Sequence, residues 1–134
     1  MTNPMMERDR ASATLGMVVH RDDPGHAVVS MTIRDDMLNG FDMAHGGIVF
    51  SLADTAFALA CNDGESVTVA AGADITFLRP ARRGQTLTAT AVLRSTSGRT
   101  GLYDVQVSDG SQIVAEFRGR SHTTSTPATA FDNR

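Results

Sequence analysis

The sequence predicts an α+β domain, an antiparallel sheet of about six strands wrapped around one long central helix. Three observations lead there. The run IVFSLADTAFALA, Ile48 to Ala60, holds only Ser51, Asp54 and Thr55 as polar residues, so its helix is apolar nearly all round and should be buried. Six strand-like runs flank it, and those after it are joined by short connections, which imply sequential antiparallel neighbours. No other segment can cover the helix, so the sheet must curl around it. A single curved sheet keeps a second face and open edges, which predicts association between copies.

Residues 1–15 read as a short amphipathic helix or leader, followed by a first strand from about Gly16 to His20 and the turn-rich RDDPGH. Ala27, Val29, Met31 and Ile33 alternate with Val28, Ser30 and Thr32, the period of a strand with one buried face. RDDMLNGFDMA mixes turn residues with apolar anchors and reads as a structured loop. The helix ends at Asn62-Asp63-Gly64. Strands are expected at about Thr68–Leu78, Gln85–Arg94, Gly101–Ser108 and Gln112–His122, joined by LRPARRG, STSGRT and the Asp109-Gly110 hairpin signal. Residues 1–134 thus form one domain with an ordered core of about 14–122 and a polar, flexible tail over 123–134.

Composition excludes several function classes. A net charge of −3 gives no attraction for nucleic acid or an anionic membrane, and the lack of tryptophan removes stacking platforms. One cysteine, Cys61, forbids an internal disulfide framework and reads as a buried small hydrophobe. The charged N-terminus has no apolar signal region, and the 13-residue apolar run is too short to span a bilayer. A cytoplasmic location is the expectation. Four histidines without ligand spacing predict no metal site.

Chemistry is announced by HGGIVFSLAD, His45 to Asp54. A helical glycine costs roughly 1 kcal/mol relative to alanine. A carboxylate among apolar neighbours costs several kcal/mol unless paired. The bland alternatives are close packing for Gly46 and Gly47, an arginine partner for Asp54, and a turn role for Asn39. Phe41, Phe50 and Phe57 read either as ordinary core or, for some of them, as lining of an acyl pocket.

The blocks MLNGFDMAHGGIVFSLADTAFALACN, ADITFLRPARRGQTLTATA, TGLYDVQV and AEFRGRSH resemble the phenylacetic-acid-degradation acyl-CoA thioesterases of the hotdog fold, over about residues 14–122. The resemblance implies that Asp54 attacks the thioester or activates a water, and that an amide of Gly46 or Gly47 polarises the thioester carbonyl. It places Asn39 and His45 at the reaction centre, His45 either supporting the loop or touching the thioester sulfur. A strand hydroxyl holds the water in such relatives, and Thr68 and Thr76 are available, although VAAGAD leaves that role unassigned. It implies a small, aromatic acyl-CoA such as phenylacetyl-CoA as substrate, no cofactor, and a tetramer of two dimers.

These implied roles suit the residues. The first N–H groups of a helix lack internal partners and lie at its positive end, where glycine lets a carbonyl approach. One aimed donor is worth roughly 3–4 kcal/mol to a developing oxyanion. Arg79, Arg82 and Arg83, with Arg94 and Arg99 further on, can meet CoA phosphates or form a solvated basic turn. At 1.5 Å per residue the glycine amides lie roughly 10–12 Å from Asp54, too far to serve one thioester. Two antiparallel helices can, so a homodimer with two shared sites is expected. The competing readings are an enoyl-thioester hydratase or dehydratase and a non-catalytic acyl-CoA-binding module.

Overall fold

The computed structural model describes residues 3–131 except Asp63. Two short helices, α1 (Pro4–Arg8) and α2 (Arg10–Thr14), precede β1 (Val18–Asp23) and β2 (His26–Thr32). The central helix α3 (Gly46–Cys61) follows, then β3 (Ser66–Phe77), β4 (Thr86–Ser97), β5 (Thr100–Ser108) and β6 (Ile113–Pro127). The strands form one antiparallel six-stranded sheet in the order β1-β2-β4-β5-β6-β3, and all six of them, with α2, pack against α3. This is the hotdog architecture expected from the sequence.

The leader is two helical turns broken at Asp9, whose side chain caps α2 by accepting from the Ser12 N–H. RDDPGH is shorter as a turn than the composition suggests. Arg21, Asp22 and Asp23 continue β1, and only Pro24-Gly25 turns the chain, with Gly25 at φ +73°. Likewise β4 runs to Ser97, leaving Gly98-Arg99 as its turn into β5.

Two expectations are corrected. β3 does not pair with β4; it lies at the sheet edge against β6, with Ile75 opposite Phe117. The connection from Leu78 to Gln85 crosses the end of the sheet, past β6 and β5. Three strand spacings are about 14 Å, well within the reach of eight extended residues. A short connection therefore did not require adjacency here. The expected flexible tail is also structured over most of its length. β6 continues through Thr123 to Pro127 along the start of β3, and the Ala128 N–H donates to the Glu65 carbonyl at 2.7 Å. Residues 132–134 lie outside the described residues.

The core joins one face of the sheet to α3. Ala27, Val29, Met31 and Ile33 are buried, as their alternation predicts. Phe57 is buried between Tyr103 and Phe117, with ring centroids 5.4 and 5.7 Å away. Asn62 ends the helix by donating to the Ala58 carbonyl, and it ties that end to β3 through two bonds of 2.8 Å with the Thr68 backbone. Gly119 lets the Phe57 ring lie against β6, since a Cβ there would stand 2.8 Å from the ring. Gly119→Ala is therefore expected to destabilise the fold by about 1–3 kcal/mol, read as a fall in Tm.

The helix is not buried all round. Gly47, Ser51, Asp54 and Ala58 recur at helical spacing on one stripe, and none of them is buried. The sheet covers the other sides and leaves this stripe open.

Candidate active site

The site begins where a tight loop delivers the chain to α3. A single turn of 3-10 helix, Asp35–Met37, leads to the bridge between Leu38 and Ala44. Asn39 organises the return: its N–H donates to the Met43 carbonyl at 2.8 Å, and its Oδ1 accepts from the N–H of Phe41 at 2.8 Å and of Met43 at 3.4 Å. The turn role weighed for Asn39 is thus real. Its side-chain nitrogen has no partner among the described residues, and it lines a cleft beside the helix start.

His45 caps α3 with its backbone. Its carbonyl accepts from Ile48 at 2.9 Å and Val49 at 3.2 Å, and its N–H donates to the Met37 carbonyl at 2.9 Å. The imidazole makes no capping bond and is exposed. The amides of Gly46 and Gly47 precede the bonded ones, and among the described residues neither has an acceptor. They are free donors at the positive end of a 16-residue helix.

The two glycines differ. A Cβ on Gly46 would stand 3.2 Å from the Phe77 ring, so close packing accounts for that glycine. A Cβ on Gly47 would meet only the His45 Nδ1, at 3.8 Å. Packing therefore does not explain Gly47, whose surroundings are open to a ligand. Gly47→Val is expected to keep its Tm within a few degrees while kcat falls at least about tenfold, measured as thiol release. Retained kcat would move the donor role to Gly46.

The cleft, of about 540 Å³, includes Asn39, Gly46, Phe77, Arg79 and Arg82 in its walls. LRPARRG is drawn to it by the Ala44 N–H, which donates to the Ala81 carbonyl at 2.8 Å. Phe41 also lines it and is 79% exposed, so of the two readings of that ring the structure takes it out of the core; Phe50 and Phe57 do pack against Phe117. Phe77 and Leu78, each 51% exposed, complete the apolar wall. Sequence reasoning missed both. Their signal was two adjacent apolar residues where the strand alternation calls for one.

The arginines separate. Arg79 donates to the Ile113 carbonyl at 2.7 Å and stays exposed beside Arg82. Arg83 pairs with Asp35 at 3.1 Å. Arg99 lines a different pocket, with Cys61 and Tyr103 at the far end of α3. Arg94 and Arg118 both bind Asp104 at 2.7 Å and hold its carboxyl down to about 2, so Arg94 already has a partner. The Thr68 hydroxyl pairs with that of Thr123 at 3.1 Å, while Thr76 is exposed.

Asp54 lies two turns along α3 on the open stripe and forms no ion pair among the described residues, so the arginine partner weighed for it is not found. Burial pushes its carboxyl above the usual range, and the charge of Asp9 adds to this. A half-buried carboxylate of raised basicity and two free amides thus share one helix, about 10–12 Å apart.

Comparison with known proteins shows the family and the fold. The sequence model of the thioesterase superfamily matches residues 41–116. The Acyl-coenzyme A thioesterase PaaI of Escherichia coli is 49% identical over 119 residues, 88% of this chain and 85% of that protein. The solved structure of the E. coli PaaI protein, from the phenylacetic acid degradation operon, superposes with a TM-score of 0.89 at 46% identity, covering 92% of this chain and 91% of that one. A mutant of the phenylacetic acid degradation protein PaaI from Thermus thermophilus gives 0.83 at 38% identity, covering 87% of this chain and 100% of its own. A Streptococcus mutans protein solved bound to acetyl CoA gives 0.77 at 25%, covering 82% and 90%.

Proposed function

This chain belongs to the thioesterase superfamily and is an acyl-CoA thioesterase, and from that premise we propose that it hydrolyses a small aromatic acyl-CoA, of the phenylacetyl-CoA or hydroxyphenylacetyl-CoA kind, to the free acid and CoA. The observation that carries the assignment of roles is the pairing of free amides at Gly46 and Gly47 with an unpaired, basic carboxylate at Asp54 on one uncovered helical stripe. As the thioester carbonyl is attacked, negative charge builds on its oxygen. The Gly47 amide, with that of Gly46, faces this charge without reorganising. Asp54 takes the proton of the attacking water or attacks directly. The tetrahedral intermediate then expels the CoA sulfur.

Phe41, Phe77 and Leu78 offer an apolar wall suited to an aromatic acyl group, and Arg79 and Arg82 lie beside it for the CoA phosphates, while Arg83 is held by Asp35. Arg99 stands apart from them within one protomer and is assigned no phosphate here. The phenylacetic acid degradation context of two relatives supports the acyl group, and the acetyl CoA bound to a third supports the carrier. Water, a carboxylate and an amide donor suffice for hydrolysis, so the reaction calls for no cofactor. A cytoplasmic setting suits a CoA ester as substrate.

The proposed unit is a homodimer whose antiparallel α3 helices set Asp54 of one protomer against the helix start of the other, with two dimers forming a tetramer. The open stripe on α3 and the edge position of β3 are the surfaces available for this. A panel of acyl-CoA esters assayed by thiol release tests the substrate. The expected ranking puts phenylacetyl-CoA and its ring-hydroxylated form first in kcat/KM. Faster release from straight-chain esters would overturn the aromatic assignment, and loss of enoyl absorbance without thiol would indicate a hydratase.

A further inference from the structure

The segment before β1 takes part in the geometry around Asp54. Ser12, only 2% exposed, is buried against α3 although α2 is a single short helix. Its hydroxyl donates to Asp9 Oδ2 at 2.7 Å and lies 2.9 Å from the Thr55 Oγ1. A serine has one hydroxyl proton, and that proton goes to Asp9, so the Thr55 hydroxyl must donate to Ser12. The chain therefore has one direction, Thr55 to Ser12 to Asp9. Threonine within a helix usually turns its hydroxyl back to the carbonyl four residues earlier, as Ser51 does toward Gly47 at 2.8 Å. Thr55 instead reaches out of the helix and fastens the turn that carries Asp54.

We propose that Ser12 and Asp9 are positioning residues for the reaction, holding the α3 turn of Asp54 through Thr55 and placing a second negative charge near its carboxylate. This rests on the reading of Asp54 as the group that attacks or activates water. After burial, the charge of Asp9 is what raises the Asp54 carboxyl. Its effect has a clear sign. A nearby negative charge disfavours ionisation of Asp54, making the carboxylate a stronger base once ionised.

Two substitutions separate charge from position. Asp9→Asn keeps an N-cap oxygen for the Ser12 N–H and the size of the side chain but removes the charge, and its amide nitrogen donates where Oδ2 accepted, so the Ser12 and Thr55 hydroxyls reverse direction. Ser12→Ala breaks the chain and leaves the charge, and Ser12→Thr restores a hydroxyl. Asp54→Asn, assayed in parallel, tests the underlying reading. The expected result with phenylacetyl-CoA is an acidic limb of the kcat–pH profile displaced to lower pH in Asp9→Asn. Ser12→Ala is expected to lose about tenfold in kcat with KM within about twofold, and Ser12→Thr to recover most of it. If Asp54→Asn is inactive while the Asp9→Asn limb is unmoved and Ser12→Ala turns over at the wild-type rate, the positioning role is overturned and the Asp54 reading stands. If Asp54→Asn remains active, that reading falls and this one with it. Should Ser12→Ala lose its fold, seen as a collapsed Tm, the Asp9→Asn profile decides alone.

Discussion

Asp54→Asn is expected to lower kcat by at least about 10²-fold and, at neutral pH, to raise Tm. The first effect follows from removing the acid–base or nucleophilic group, with KM changing much less because the carboxylate acts on the transition state. The second follows from the direction of its pKa. Burial, and then Asp9, raise the folded-state value above the ordinary 3.8. Below 3.8 the group is protonated in both folded and unfolded chains and costs nothing extra. As pH rises from there through the raised folded value, the unfolded chain ionises first and stability falls, and it stays lowered above that range. Asparagine removes the ionisation, so the Tm advantage should be present at pH 7 and vanish near pH 3. Thermal scans across that range check the sign. A mutant with near wild-type kcat would take Asp54 out of the mechanism. A lower Tm at neutral pH would show that the carboxylate has a stabilising partner supplied by another chain.

Mixed dimers of Asp54→Ala and Gly47→Val subunits, each strongly impaired alone, are expected to regain activity. Glycine amides and carboxylate lie about 10–12 Å apart along one helix, whereas attack and oxyanion donation must occur within about 3 Å of the same carbonyl. In a two-fold dimer each site would combine the helix start of one protomer with Asp54 of the other. One site of a mixed dimer then joins both defects, and the other joins two intact halves. Random pairing of equal amounts makes about half the dimers mixed, so about a quarter of wild-type activity should return. The experiment is well posed because Gly47 has open space around its Cβ position, so its substitution need not disturb the fold. Mixed dimers that form and stay inactive would refute the shared site.

Much of this arrangement was legible as local pattern. The alternation of Ala27, Val29, Met31 and Ile33, the apolar run of α3 and the Asp109-Gly110 turn each act within a few residues, where side-chain period and backbone preference decide the outcome. The separation of Gly47 from Asp54 was equally readable, since helix rise depends on nothing outside the helix. The motif at His45, Gly46 and Gly47 could be recognised as a helix start, and the structure begins α3 there.

What only the tertiary structure decided was non-local. β3 took β6 as its partner, because backbone ladder bonds carry no sequence label and the crossing connection was long enough to reach. The polar residues from Thr123 to Pro127 became strand because β3 offered them an unpaired edge, not through their own propensity. Phe41 and Phe57 are the same residue type, yet one lines an open cleft and the other fills the core. Gly46 and Gly47 are adjacent, and only the placement of Phe77 on a distant strand makes one a packing glycine and leaves the other open. Ser12 and Thr55 stand 43 positions apart, and their hydroxyl contact exists because α2 folds back on α3. Sequence by itself determined which elements form and how far apart groups lie along each of them; the meeting of side chains from different elements was set by packing, which no local period encodes.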